Sequence, residues 1–188
     1  MRFQNTKEVI QYAKKYISGG TLDLGAGSAK YREIIRERAS SYTTFDMAPG
    51  PNIDVVGDAL NLPFGEASFE TIVSTQVLEH VEKPWIVVKE IHRVLKSGGI
   101  CFLTAPFMEP YHPYPGDYFR YSVEGIKSLF QNEGFQIVEC GSYGPPFALF
   151  AKFAKLGKFR PLVPAARILD GLIKVKNFYA DIYIIAKK

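Results

Sequence analysis

The chain has 188 residues, of which 47% are hydrophobic and 22% are charged, and its formal net charge is +4. This composition is typical of a globular protein with a sizeable core and excludes a disordered or fibrous one. Because no apolar run reaches the roughly 18 residues of a membrane span and the first residues lack a signal-peptide core, we expect a cytoplasmic protein with two reduced cysteines.

Helical and strand patterns alternate along the chain. A helix is predicted at 6–17 with a cap at Asn5 or Thr6, followed by a first strand at 21–25. The later elements are a polar helix at 28–38, strands at 42–46, 52–56 and 69–74, a helix at 83–96, a strand at 100–106, a helix at 122–134 and strands at 135–141 and 178–188. This alternation predicts a single α/β domain over residues 1–188, with a mostly parallel sheet and helices on both faces.

The stretch TLDLGAGSAKY, Thr21–Tyr31, has the pattern of a strand, a glycine turn and a helix. Gly25 and Gly27 allow a sharp turn and the close approach of a ligand. Asp46, at the end of the second strand, could accept hydrogen bonds from both hydroxyls of a ribose, which nicotinamide cofactors and S-adenosylmethionine share. A tight turn that holds no ligand has the same pattern.

Two residues favour S-adenosylmethionine over a dinucleotide. Lys30 stands where a dinucleotide fingerprint has its third glycine. Asp23 would face a pyrophosphate unfavourably, whereas it suits a ligand that carries the ammonium group of a methionine moiety.

Three stretches, LDLGAGSAKY, VGDALNLPF and FETIVSTQVLEHVEKPWIVVKEIHRVLKSGGICFLTAPF, resemble the class I methyltransferases, specifically the methyltransferase type 11 branch, over about residues 21–107. The resemblance implies a Rossmann-like, seven-stranded, mostly parallel sheet in the order 3-2-1-4-5-7-6 with the last strand antiparallel. It also implies S-adenosylmethionine as the cofactor and S-adenosylhomocysteine as its product. Ala29 stands where the family has the third glycine of D-x-G-x-G-x-G.

The resemblance further implies three groups of cofactor contacts. The methionine end would be lined by Asp23, Gly25, Ala26 and Gly27. The ribose and adenine would be bound by Asp46, Met47, Asp58, Ala59 and Leu60. The sulfonium would lie beside Thr75, Gln76 and Val77. For Asp58, a simple loop cap is the alternative.

The segment Met108–Ser122 follows the fifth predicted strand and is expected to overlie the transferable methyl group. His112 could deprotonate an acceptor hydroxyl, and Arg120 could hold an anionic acceptor bidentately. In the alternative, Asp117 and Arg120 pair with each other and the tyrosines pack. The resemblance of this loop to others in the branch implies a lipid-linked or glycan-like acceptor.

The other two histidines receive structural interpretations. His80 is expected to orient the loop after the fourth strand, and His92 to lie on a solvated helix face. We predict no metal site.

The connection at about 144–177 is unusually long for the join between the last two strands. It has the pattern of a basic amphipathic helical insertion, with seven lysines and arginines against one aspartate between Ala151 and Lys176. It could complete the core or the acceptor pocket, contact an anionic membrane through 147–176, or form a dimer contact, so the chain is a monomer or homodimer. We expect no nucleic-acid binding, because no recognised motif accompanies the charge.

These patterns support one leading function and two alternatives. The leading hypothesis is an S-adenosylmethionine-dependent methyltransferase that acts on a small, lipid-linked or glycan-like acceptor at oxygen. The first alternative is a non-catalytic module of the same fold that serves as a membrane or partner scaffold. The second, a nicotinamide oxidoreductase, is disfavoured by Lys30.

Overall fold

The computed structural model describes residues 3–144, 168 and 179–188. The strands among them are β1 (Gly20–Leu24), β2 (Ser41–Asp46), β3 (Val55–Val56), β4 (Phe69–Thr75), β5 (Leu95–Pro106), β6 (Gln136–Tyr143) and β7 (Asp181–Lys187). The helices are α1 (Thr6–Ala13), α2 (Arg32–Arg36), α3 (Pro84–Val94) and α4 (Val123–Asn132), with 3-10 turns at Lys14–Tyr16 and Leu78–His80. In the described part of the chain, no helix combines the length and apolarity that crossing a bilayer requires. The insertion predicted at about 144–177 lies outside the described residues, apart from Gly144 and Ile168.

The seven strands form one sheet in the order β3-β2-β1-β4-β5-β7-β6. Neighbouring strands from β3 to β5 run parallel, whereas β7 is antiparallel to both β5 and β6. The predicted strand order and the antiparallel last strand are therefore confirmed. Since β1, β2 and β4 are adjacent and parallel, their carboxyl ends meet at one edge of the sheet, where open α/β sheets bind ligands.

Helices cover both faces of the sheet, as predicted. On one face, α3 and α4 bury apolar side chains against a layer that includes Leu22 and Ile72. On the other face, α1 and α2 pack against a layer that includes Val73 and Phe102. Successive strand residues point to opposite faces, so a strand buried on both faces has a continuous apolar sequence.

Two predicted elements are shorter in the structure, for local reasons. The helix predicted from residue 28 begins only at Arg32, because Ala29 adopts a left-handed φ of +55°. The strand predicted from residue 52 begins only at Val55. There, the Thr44 N–H donates to the Asp54 carboxylate at 2.9 Å, and the Asp54 N–H lies 2.9 Å from the hydroxyl and 3.2 Å from the carbonyl of Thr44, so side chains take over part of the ladder.

Candidate functional site

The turn after β1 is built from left-handed residues. Gly25, Gly27 and Ala29 have φ values of +72°, +54° and +55°. The Gly25 N–H donates to the carbonyl of Phe45 in β2 at 2.8 Å. A Cβ on Gly25 would lie 2.2 Å from Cγ2 of Val77, whereas a Cβ on Gly27 would meet no atom within 4 Å. The turn is therefore packed against the protein at Gly25 and open at Gly27.

Asp46 ends β2 directly beside this turn. Its Oδ2 accepts the Gly27 N–H at 2.8 Å, and its Oδ1 accepts the Ala48 N–H at 3.1 Å. A carboxylate has about four lone-pair positions, so both oxygens can still accept hydrogen bonds from a diol. The geometry thus allows the predicted role of Asp46 at a ribose, and Met47 beside it is 61% exposed.

Asp23 lies in β1, two residues before Gly25, and its side chain is buried. Its Oδ2 accepts the hydroxyl proton of Tyr42 at 2.5 Å. Burial raises the pKa of Asp23 to about 6, against the opposing effects of the Tyr42 hydrogen bond and the Arg32 charge. A direct contact between Asp23 and the methionine end of a cofactor stays a prediction.

The raised pKa of Asp23 should make stability depend on pH. The folded state binds this proton more tightly than the unfolded chain, so the group favours folding at low pH. That contribution is lost as the pH rises from about 4 to above 6, about 3 kcal/mol in total. Asp23→Asn keeps an acceptor for Tyr42 and should remove this dependence.

Urea unfolding of both proteins at several pH values across that range measures the effect. The free energy of unfolding of the wild type should fall relative to that of the variant as the pH rises, and the difference should become constant above about pH 7. A difference that is the same at every pH would contradict the raised pKa.

The loop after β3 contains the residues predicted to bind adenine. The Asp58 carboxylate accepts the Leu60 N–H at 2.9 Å, and the Asp58 carbonyl accepts the Asn61 N–H at 3.0 Å. This is the geometry of a loop cap, the alternative that the sequence allowed. Asp58 is exposed, and Ala59 and Leu60 pack partly against the core, so a contact with adenine stays a prediction.

The segment after β4 crosses the carboxyl edge of the sheet. Thr75 ends the strand, and Gln76 adopts a left-handed φ of +56°. The Gln76 side-chain amide donates to Thr104 of β5 at 3.4 Å and to Asp181 of β7 at 3.3 Å. Val77 then packs against Gly25. The structure thus brings this segment and the glycine turn together, whereas its approach to a sulfonium stays a prediction.

Glu79, in the 3-10 turn after β4, is a site residue that the sequence reasoning missed. Its side chain is fully buried, and among the described residues neither carboxylate oxygen accepts a hydrogen bond from another residue. Burial raises the pKa of Glu79 to about 8. The available signal was a carboxylate directly after the apolar pair Val77 and Leu78, just beyond the fourth strand.

The loop after β5 (residues 107–121) folds onto this 3-10 turn. The Tyr118 N–H donates to the backbone carbonyl of Glu79 at 2.7 Å. His80 Nδ1 lies 2.6 Å from the backbone carbonyl of Gly116. His80 therefore ties the two segments together, in agreement with its predicted orienting role.

Arg120 is engaged inside this loop. Its two terminal nitrogens donate to the Asp117 carboxylate at 2.5 and 2.7 Å, and its Nε donates to the carbonyl of Glu109 at 3.1 Å. The guanidinium holds the pKa of Asp117 well below its usual range. The guanidinium is thus paired with Asp117, which is the alternative that the sequence allowed, and a contact of Arg120 with an anionic acceptor stays a prediction.

His112 lies on the same loop and its side chain is 39% exposed. Its backbone N–H donates to Asp117 at 2.9 Å, and its Nδ1 lies 2.8 Å from the carbonyl of Pro110. The imidazole meets that of His80 edge to face, with 5.1 Å between ring centroids. The structure thus places His112 next to His80, in the same segment as Val77, which packs against the glycine turn.

Residues 22–103 match the methyltransferase domain family. The chain is 30% identical over 109 residues to an uncharacterised methyltransferase of Mycobacterium sp. (strain KMS), covering 52% of this chain and 43% of that protein. It is 37% identical over 78 residues to a ubiquinone/menaquinone biosynthesis C-methyltransferase of Desulfotalea psychrophila, covering 39% of this chain and 32% of that one. The chain thus spans less than half the length of these curated relatives.

Solved structures agree in fold. A phosphoethanolamine N-methyltransferase of Haemonchus contortus in complex with S-adenosylmethionine has a TM-score of 0.67 at 17% identity, over 98% of this chain and 53% of that one. An S-adenosylmethionine-dependent methyltransferase from Mesorhizobium loti has a TM-score of 0.67 at 17% identity, over 96% of each chain. The family match over residues 22–103 and the strand order together support a class I S-adenosylmethionine-dependent methyltransferase.

The matched part of this methyltransferase domain contains the glycine turn, Asp46, Asp58 and the segment from Thr75 to His80. The loop that carries His112 lies beyond it. The family match therefore covers the glycine-turn side of the site but not the loop of His112.

Proposed function

We propose that this methyltransferase domain transfers a methyl group from S-adenosylmethionine to an oxygen atom of a small, lipid-linked or glycan-like acceptor. The observation that carries the proposal is the turn after β1, which is packed against Val77 at Gly25, open at Gly27 and bonded to Asp46. This arrangement lies at the carboxyl edge of the sheet, and the loop of His112 docks on the neighbouring segment.

The chemistry of the residues around the turn fits S-adenosylmethionine. The open side of Gly27 leaves room for a ligand where a side chain would otherwise stand. Asp46 retains lone pairs for the two ribose hydroxyls. The nearby carboxyls of Asp23 and Asp46 suit a ligand with positive charge and disfavour a pyrophosphate. When bound, this cofactor supplies a methyl group activated by the adjacent positive sulfur.

His112 is the residue proposed to accept the proton of an acceptor hydroxyl. A carbonyl only accepts hydrogen bonds, so the 2.8 Å contact with Pro110 assigns the proton of the neutral ring to Nδ1. Nε2 then carries the lone pair that a general base needs. The contacts of the loop with Glu79 and His80 fix its position, which favours orientation of the acceptor.

Three exposed tyrosines favour the proposal of an acceptor with a ring or an extended apolar part. Tyr111, Tyr114 and Tyr118 are 76%, 85% and 54% exposed on the loop that carries His112. Aromatic rings that combine an apolar face with a polar hydroxyl are suited to amphipathic ligands. The basic sequence at 147–176 supports a lipid-linked acceptor through contact with an anionic surface.

Calorimetric titration of the purified chain with S-adenosylmethionine, S-adenosylhomocysteine and NADH tests the cofactor. We expect binding of the first two and none of NADH. Asp46→Ala should weaken binding at least about tenfold, because it removes charge-assisted hydrogen bonds worth about 1.5–3 kcal/mol each. The matched control is Glu37→Gln, which alters an exposed carboxylate paired with Lys14. This variant should bind S-adenosylmethionine as the wild type does. Failure of the wild type to bind either adenosyl compound would overturn the proposal.

A further inference from the structure

Three side chains at the junction of the 3-10 turn and the loop after β5 form one cluster. Glu79, His80 and His112 each offer one potential ligand atom, and these atoms all lie within 4.8 Å of one another. Glu79 Oε1 is 3.7 Å from His80 Nε2. The cluster combines two segments that are far apart in sequence, and the docked loop holds them in place.

Both imidazoles are oriented as metal ligands usually are. His80 Nδ1 lies 2.6 Å from the carbonyl of Gly116, and His112 Nδ1 lies 2.8 Å from the carbonyl of Pro110. Each backbone carbonyl accepts the ring proton, which fixes the tautomer and leaves a lone pair on Nε2. Metal-ligating histidines typically donate their other ring N–H in this way to a carbonyl or carboxylate.

Glu79 supplies a buried carboxyl group, with His80 Nε2 3.7 Å from its Oε1. It is fully buried, and neither of its oxygens accepts a hydrogen bond from another described residue. Burial is the dominant effect on its ionisation, Asp181 and Asp117 also disfavour its charged form, and the Arg120 charge favours it. Arg120 is bound to Asp117 through both terminal nitrogens and is not directed to Glu79. An unpaired carboxylate in such surroundings is costly unless a cation binds it.

We propose that Glu79, His80 and His112 bind one divalent transition-metal ion, with Zn²⁺ as the preferred ion. Two imidazoles and one carboxylate suit Zn²⁺ and its first-row neighbours, whereas Mg²⁺ and Ca²⁺ prefer sites made of oxygen ligands. Three protein ligands leave at least one position for water or for an oxygen of another molecule, which is the pattern of catalytic rather than structural zinc.

The task of the ion rests on the proposed function. A Zn²⁺ ion at this place would coordinate the acceptor hydroxyl and lower its pKa, so that the oxygen attacks as an alkoxide and its proton passes to solvent. His112 would then act as a ligand rather than as a free general base. Loss of methyl transfer on chelation, restored by Zn²⁺, distinguishes the two roles.

Metal binding is tested without cofactor or acceptor. The full chain is treated with EDTA, dialysed and titrated with Co²⁺ and Zn²⁺, while the visible spectrum and the metal content are measured. We expect one equivalent of Co²⁺ with a tetrahedral or five-coordinate spectrum that Zn²⁺ displaces. Glu79→Gln and His112→Gln should each weaken binding at least about tenfold, since even the loss of an outer hydrogen-bond partner costs 10–100-fold.

The chain offers a matched control for each variant. His92 is the one histidine of the chain that lies outside the cluster. Its ring is half-buried and packs against Phe135 at 5.0 Å between centroids, so the helix face predicted to be solvated is only partly so at His92. His92→Gln should leave the stoichiometry and affinity unchanged. Glu37→Gln is the corresponding control for Glu79→Gln and should also leave metal binding unchanged.

The proposal would be overturned if the wild type took up neither ion, or if the Glu79→Gln, His112→Gln and His92→Gln variants bound the metal equally. A sulfur-to-cobalt charge-transfer band would assign the ion to Cys101 or Cys140 instead, which also contradicts it. Circular dichroism confirms that each variant is folded. Binding of S-adenosylmethionine is measured separately, so failure of the metal site and failure of the proposed function give different results.

Discussion

Gly25→Ala is expected to destabilise the fold by about 2–5 kcal/mol and to abolish binding of S-adenosylmethionine. Two costs add: an alanine in the left-handed region costs about 1–2 kcal/mol, and overpacking costs about 1–3 kcal/mol. The new Cβ would lie 2.2 Å from Cγ2 of Val77, a β-branched side chain with little rotamer freedom. Urea unfolding gives the loss of stability, and calorimetry at a temperature where the variant is folded gives the loss of binding.

Gly27→Ala is the matched control, because Gly27 is also left-handed but a Cβ there meets no atom within 4 Å. We expect it to lose only about 1–2 kcal/mol of stability. The double variant Gly25→Ala/Val77→Ala should recover part of the stability lost in Gly25→Ala, although Val77→Ala alone is destabilising. Equal losses in Gly25→Ala and Gly27→Ala would show that packing against Val77 is unimportant.

Arg120→Ala is expected to destabilise the loop after β5, by about 3–5 kcal/mol if the loop stays closed. The Asp117 side chain is only 1% exposed and would be left without its cation. The loop can avoid that cost by opening, which would expose its amides and lower methyl-transfer activity. Hydrogen exchange of residues 107–121, together with urea unfolding, detects either response.

A double variant tests whether the loss of stability in Arg120→Ala comes from leaving Asp117 without a cation. Asp117→Asn/Arg120→Met removes both charges and should cost less than Arg120→Ala alone, because no buried charge is left unpaired. If Arg120→Ala changed neither hydrogen exchange in the loop nor the free energy of unfolding, the ion pair would have no role in holding the loop.

Much of the fold was predictable because it depends on regular patterns. Strands buried on both faces have continuous apolar sequences, and α4 begins where expected because the Ser122 hydroxyl accepts the Gly125 N–H at 3.0 Å. The early start of β5 was not predictable in the same way. Leu95 joins the strand by pairing with Phe69, a tertiary contact that no local pattern reveals.

The site was predictable only in part. The glycine turn and Asp46 have a local signature, and the structure places them in contact. The environments of Arg120 and Glu79 have no local sequence signature and depend on the fold. A sequence shows that Arg120 and Asp117 are three residues apart, but whether the guanidinium faces the loop or solvent depends on the fold. Glu79 becomes notable only once its burial is known.

The position of β7 in the sheet has a consequence for the folding rate. Its residues 181–187 pair with 100–106 of β5, and they also provide the neighbour through which β6 joins the sheet. Contacts between such distant parts of a chain require closure of a long loop and slow folding. We therefore expect the pairing of β7 with β5, which closes the longest loop between neighbouring strands, to follow formation of the parallel part of the sheet.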